Sequence, residues 1–149
     1  MTEIVKHILG NINWPAVIVA SLINFFIGAF WFSKILFAKP WAKEVYGVND
    51  PSEITRTANM GYTMGMAFFM TFVTAVALSV FMYMPAGDIM MEQRMMWGLG
   101  CAGLISVIVA ANTYKHYLFE QRSFKLVLIN AAHDIICFIV MAVIMIYWK

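Results

Sequence analysis

The chain has 149 residues, of which 62% are hydrophobic and 12% charged, with a net charge of +2. An ordinary soluble domain has about 45–50% apolar and about 25% charged residues, so the composition excludes one. The small net charge gives no reason to expect nucleic-acid binding. The length suits about four membrane spans with short loops, a single integral membrane domain over residues 1–149 whose surroundings are the lipid bilayer.

The N-terminal stretch MTEIVKHILGNINWP has no basic start leading into an apolar run and a cleavage site, so the first span is expected to remain in the protein. That span runs from about Trp14 to Phe32, with Asn13 in the capping position and Pro15 just inside, as helix starts prefer. Pro40 to Gly47 begins with proline and ends with glycine, which predicts a short helix lying on the inner membrane surface. After the turn Asn49-Asp50-Pro51, Asp50 is placed to cap a second long helix and Glu53 to sit in its first turn, where a negative charge suits the helix dipole. This helix is expected to run unbroken through Thr57 to Met84, with its membrane part at about residues 60–84. Pro85-Ala86-Gly87-Asp88 forms a turn. The third span covers about Met95 to Tyr114, and the fourth Leu126 to Trp148, 23 residues long. The predicted fold is all-α, a bundle of four transmembrane helices.

Seven of the ten Lys and Arg residues lie in the segments between spans one and two (Lys34, Lys39, Lys43, Arg56) and between spans three and four (Lys115, Arg122, Lys125). The other side has Lys6, Arg94 and Lys149. This bias predicts both termini outside a prokaryotic cytoplasmic membrane. Trp14, Trp31, Trp41, Tyr46, Tyr114, Tyr147 and Trp148 fall near span ends, where interfacial aromatics belong.

The pattern Asn13-Trp14, Asn24-Phe25, Gly28-Ala29, Trp31-Phe32-Ser33, Leu36-Phe37 and Trp41, with Leu128-Ile129-Asn130-Ala131 at the start of the fourth span, resembles a widespread family of small four-span integral membrane proteins of unknown function. The resemblance covers both ends of the chain and is weaker in the middle. It implies a membrane location and four helices and supplies no reaction. The family often has Gly-Tyr where this chain has Ala132-His133.

The fourth span carries the main functional clue. Asp134 is its only acidic residue and lies nine residues past Lys125, about 13 Å along the helix and so close to the midplane of a ~30 Å core. A carboxylate there is costly without a partner, water or a proton. Asn130, His133, Asp134 and Cys137 share one helix face. Asn24 on the first span reaches a similar depth, as do Thr71 and Thr74 on the second and Ser106 on the third. One polar layer drawn from all four helices is therefore expected, with Asp134 facing the bundle interior or a subunit interface near Asn24. For the Asn, Ser and Thr residues, hydrogen bonding that fixes the helices is the simpler role.

Three other patterns carry less. Gly98, Gly100 and Gly103 match G-x-G-x-x-G, but a nucleotide site needs a preceding strand, and this motif falls in a lipid span. These glycines, with Gly61 and Gly65, are expected to let helices approach closely. Met82, Met84, Met90, Met91, Met95 and Met96 cluster around the outer turn; thioethers suit Cu(I), while apolar filling is the plainer explanation. His7 and His116 lie near opposite faces. Cys101 and Cys137 fall in apolar stretches and imply no disulfide framework.

No arrangement of the Ser–His–Asp kind is identifiable, no enzyme is expected, and no cofactor is indicated. The leading expectation is binding or passage of a small ion or polar solute at the layer around Asp134, Asn130, His133, Asn24 and Ser106. The alternatives are a non-catalytic accessory subunit of a larger membrane complex and a Cu(I)-binding protein using the outer methionines. A homo-oligomer or a place in a membrane complex is expected.

Overall fold

The computed structural model describes residues 2–54, 59–83 and 90–148. In chain order the helices are α1 (Thr2–Gly10), α2 (Trp14–Trp31), α3 (Ala38–Tyr46), α4 (Met60–Tyr83), α5 (Met91–Phe119) and α6 (Phe124–Tyr147), with one 3-10 turn at Pro51–Glu53. No strand occurs among the described residues. α2, α4, α5 and α6 are long and apolar enough to cross a membrane.

Each long helix starts where a side chain supplies the missing acceptor. The Asn13 carboxamide oxygen accepts the Ala16 N–H at 3.1 Å, and Ser123 Oγ accepts the Leu126 N–H at 3.2 Å. At α5 the Gln93 side chain accepts the Met90 N–H at 3.2 Å, and Glu92 stands in the first turn. α3 ends at Gly47, whose φ of +73° is the left-handed conformation that glycine adopts without strain.

The second long helix departs from the sequence expectation. Asp50 caps only the 3-10 turn, taking the Ser52 N–H at 2.8 Å and the Ser52 hydroxyl at 2.7 Å. Ile54 then returns to extended backbone. α4 starts afresh at Met60 because Asn59 Oδ1 accepts the N–H groups of Gly61 and Tyr62 at 2.9 and 3.3 Å. Thr57, Met84 and the Pro85–Asp88 turn lie outside the described residues.

α5 is longer than expected, at 29 residues. That is about 43 Å, so it overreaches a ~30 Å hydrocarbon core. It closes with Gln121 at φ +54°. The Arg122 N–H reaches Tyr117 O at 2.9 Å and the Gln121 N–H reaches Leu118 O at 3.3 Å, which satisfies carbonyls of the last turn. α1 is a further helix, in a segment where the sequence reading placed none.

α6 packs against both α5 and α2, and α2 also packs on α4. α2 and α6 run antiparallel, held by Asn13 Nδ2 donating to Trp148 O at 3.4 Å near the chain termini and Trp31 Nε1 donating to Ile129 O at 3.2 Å near the other end. The core fills the half nearer the termini: Val17 and Ala20 of α2, Ala75 and Leu78 of α4, Ala102 of α5, and Phe138, Met141 and Ala142 of α6. The alanines let backbones approach closely, as helix packing in lipid requires.

The half nearer the long loops is different. α3 packs on α6 there. Lys125 pairs with Glu44 at 3.7 Å and Arg122 donates to Val45 O at 3.3 Å. These contacts put the two basic loop segments on the same side of the bundle. α4 leaves the bundle at this end: Phe25 and Phe68 meet edge to face at 5.7 Å, and every residue from 59 to 67 is exposed.

Candidate functional site

Near the middle of α6, three ionisable or nucleophilic side chains form one connected chain. His133 Nδ1 lies 3.0 Å from Asp134 Oδ1, and His133 Nε2 lies 3.4 Å from Cys137 Sγ. One proton arrangement satisfies all three. With its proton on Nδ1, His133 donates to the carboxylate, and the thiol donates to the lone pair on Nε2. Successive residues point about 100° apart on a helix, so Asp134 reaches sideways to its neighbour, whereas Cys137 stands one turn beyond His133 on the same side.

α2 makes the other wall. A Cβ added at Gly28 would stand 3.2 Å from His133 Nε2, so the imidazole packs close against the α2 backbone and would have to yield by a few tenths of an ångström to any larger residue there. The rings of Phe32 and Trp31 lie 5.2 and 6.0 Å from the imidazole. Trp31 is itself fixed by its bond to Ile129 O and by Phe37 at 4.5 Å. The side chains of His133 and Asp134 are 19% and 35% exposed, while Cys137 is buried. The carboxylate therefore shows one edge on the flank of the protein.

The remaining polar residues divide into separate places. Asn24 lies opposite Met141, with its Nδ2 3.7 Å from Met141 Sδ. That is seven residues past Asp134, about 10 Å along α6, so the partner beside the carboxylate is His133 and not Asn24. Asn24 Oδ1 is buried and has no hydrogen-bond partner among the described residues. Asn130 Nδ2 donates to the Tyr117 hydroxyl at 2.8 Å and ties α6 to α5. Ser106 bonds back to Ala102 O at 2.7 Å, Thr71 to Ala67 O and Thr74 to Met70 O, both at 2.9 Å. Their hydroxyls are satisfied within their own helices and converge on no common point.

Gly28, Trp31, Phe32, Tyr117 and Met141 were not singled out as site residues from sequence. Met141 had a signal: it extends the series His133, Cys137 by one more interval of four. The glycines behave unequally. A Cβ at Gly98 would fall 2.7 Å from Ile146 Cδ1 and 2.8 Å from Met82 Cε, whereas Gly65, Gly100 and Gly103 have nothing within 4 Å. The expectation of close helix approach holds at Gly98 and not at those three, because none of the described helices stands against the faces they occupy.

Of the outer methionines, Met82 packs against the core. Met84 lies outside the described residues, and Met90, Met91 and Met96 are exposed. Met95 Sδ accepts the Tyr147 hydroxyl at 3.5 Å. Among the described residues no three His, Cys, Asp or Glu side chains are grouped to hold a metal ion.

Comparison with curated proteins and with solved structures finds no match. A family described as proteins of unknown function, DUF1761, matches residues 15–146. The match takes in all four membrane-length helices and almost all of the chain, and the protein belongs to that family.

Proposed function

We propose that this membrane protein binds or passes a proton or another small ion at the His133–Asp134–Cys137 cluster, in the middle of the layer its helices bury. The observation that carries the reading is the acceptor chain itself. A carboxylate, an imidazole lone pair and a sulfur lie on adjacent positions of a helix that is otherwise apolar at this depth. Groups so costly to place in lipid are retained there for a ligand or a pathway. Carboxylate, imidazole and thiol also have the connectivity of a base-activated nucleophile. The sulfur, however, belongs to a residue only 4% exposed. An ion or a proton fits that burial and an acyl substrate does not, so the reading is of a binding or conducting protein and not of an enzyme.

The seven-to-three distribution of Lys and Arg supports a prokaryotic cytoplasmic membrane with both termini outside. A reporter fused at Lys149 should then be active only on the outer side.

The test uses purified protein in liposomes, with proton and alkali-cation movement followed by dyes. Asp134→Asn keeps the shape and removes the charge; Asp134→Leu removes the hydrogen bonds as well. If the site binds or passes a cation, Asn abolishes the signal while the protein still assembles. Tolerance of Asn, with assembly impaired only by Leu, would show a purely structural carboxyl.

A second reading is favoured by a separate observation. The first part of α4 is exposed on all sides and Asp134 keeps an exposed edge. Both features suit a protein that sits beside another chain, either a second copy or a larger membrane complex in which it is an accessory subunit. Purification without cross-linking separates the two, through a homo-oligomer in one case and foreign subunits in the other.

A further inference from the structure

We propose that the exposed face of α3 binds an anionic phospholipid, with Lys39 and Lys43 holding the headgroup phosphate. The site needs only a membrane around the chain and does not depend on the ion reading of the α6 cluster. α3 has two faces. Ala38 and Ala42 are buried, and the helix packs on α6 and on the 3-10 turn. Lys39, Lys43 and Tyr46 stand at i, i+4 and i+7 on a separate, exposed face. Trp41 fixes the helix against the end of α2, with its ring 5.9 Å from Phe32 and 5.8 Å from Tyr46.

The charges on this face are unfavourable in the protein alone. Lys39 lies in the first turn of α3, where the helix dipole disfavours a cation. Lys43 follows four residues later, and like charges at that spacing repel. The nearby acids are committed elsewhere: Glu44 to Lys125 at 3.7 Å, Asp50 to Lys34 at 3.7 Å and to Ser52, and Glu120 to Arg122 at 3.6 Å. Lys39 acts on Asp50 only as a weaker field behind that of Lys34. Among the described residues neither Lys39 nor Lys43 makes an ion pair. A phosphate between the two ammonium groups offsets both effects. Side chains one helical turn apart have Cβ atoms about 5–6 Å from each other, a span that two lysines can close on one phosphate.

The surroundings favour a lipid over a free anion. Ile35 is 78% exposed and Phe119 87% exposed, both at the end of the bundle that carries α3. Apolar side chains bared to that degree belong among acyl chains. Lysine stems lie along apolar surface while their ammonium groups reach outward. The face thus meets the boundary between headgroups and acyl chains. A phosphodiester with its tails attached satisfies the lysines and the apolar residues together.

The experiment is native mass spectrometry of the full chain, released from micelles that hold phosphatidylglycerol and phosphatidylcholine with the same acyl chains in equal amounts. The unmodified protein should retain phosphatidylglycerol in preference. Lys39→Gln should weaken that binding about 5-fold and the Lys39→Gln, Lys43→Gln pair about 25-fold, with phosphatidylcholine unaffected. Arginine at both positions should preserve binding, because the guanidinium keeps the charge and also recognises phosphate. Lys6→Gln removes the same charge at the opposite end of the bundle and should change nothing. Equal retention of the two lipids by the unmodified protein would overturn the proposal, and this comparison needs no variant. Full phosphatidylglycerol binding in the glutamine pair, a parallel loss of phosphatidylcholine, or an equal loss in Lys6→Gln would each overturn it as well. Displacement of the lipid by millimolar inorganic phosphate would show a site for free anions and overturn the lipid assignment.

Discussion

Gly98 and Gly100 are two residues apart on α5, and alanine should have opposite effects at them. In a helix interior alanine is favoured over glycine by about 0.5–1 kcal/mol. At Gly100 no atom of the described residues lies within 4 Å of the added Cβ, so that gain should appear nearly whole. At Gly98 the Cβ would fall 2.7 and 2.9 Å from Ile146 Cδ1 and Cγ1, and 2.8 Å from Met82 Cε. Met82 can swing its terminal methyl aside. Ile146 is branched and 3% exposed, so it has little room to yield. Overpacking of this kind costs about 1–3 kcal/mol, which exceeds the propensity gain. The expected result is a loss of up to about 2 kcal/mol for Gly98→Ala and a gain of about 0.5–1 kcal/mol for Gly100→Ala. Reversible unfolding in mixed detergent micelles measures both. A Gly98→Ala protein as stable as Gly100→Ala would refute the close approach of α5 to α6.

Gln121 holds a positive φ at the end of α5. Gln121→Gly should therefore stabilise the protein by about 0.5–1 kcal/mol in the same unfolding assay, as the relief of left-handed strain outweighs glycine's entropy. Asn24→Leu should stabilise the protein by removing a buried oxygen that has no partner among the described residues; a less stable variant would show that the amide is satisfied. In the loop before α4, hydrogen bonds from the Ser52 backbone N–H and hydroxyl hold the Asp50 carboxyl below its ordinary value of 3.8. A depressed carboxylate pKa adds stability that is present above 3.8 and lost as pH falls through the lower folded value. The Asp50–Ser52 turn and the Lys34–Asp50 pair at 3.7 Å should thus persist at pH 4 and loosen only below it. Carboxyl chemical shifts of Asp50 report this directly, and a midpoint at or above 3.8 would contradict it.

The four membrane helices were legible because each signal is local. Apolar length marks the spans, and Asn13, Pro15 and Gly47 act on backbone within a turn of themselves. The face shared by Asn130, His133, Asp134 and Cys137 also follows from helical period alone. Where two local signals competed, sequence could not choose: Asp50 and Asn59 both can cap a helix, and only the folded chain shows Asp50 spent on a 3-10 turn and Asn59 starting α4. Depth was misleading in the same way. Counting from the span ends put Asn24 level with Asp134, but the register of α2 on α6 is set by side-chain packing, with Gly28 against His133 and Asn24 against Met141. Which glycine touches a neighbour, where Asn24 is left unpaired, and which way the imidazole turns are properties of two helices together. Tertiary structure decides them because each depends on what the opposing helix offers at that level, which no periodicity within one helix encodes.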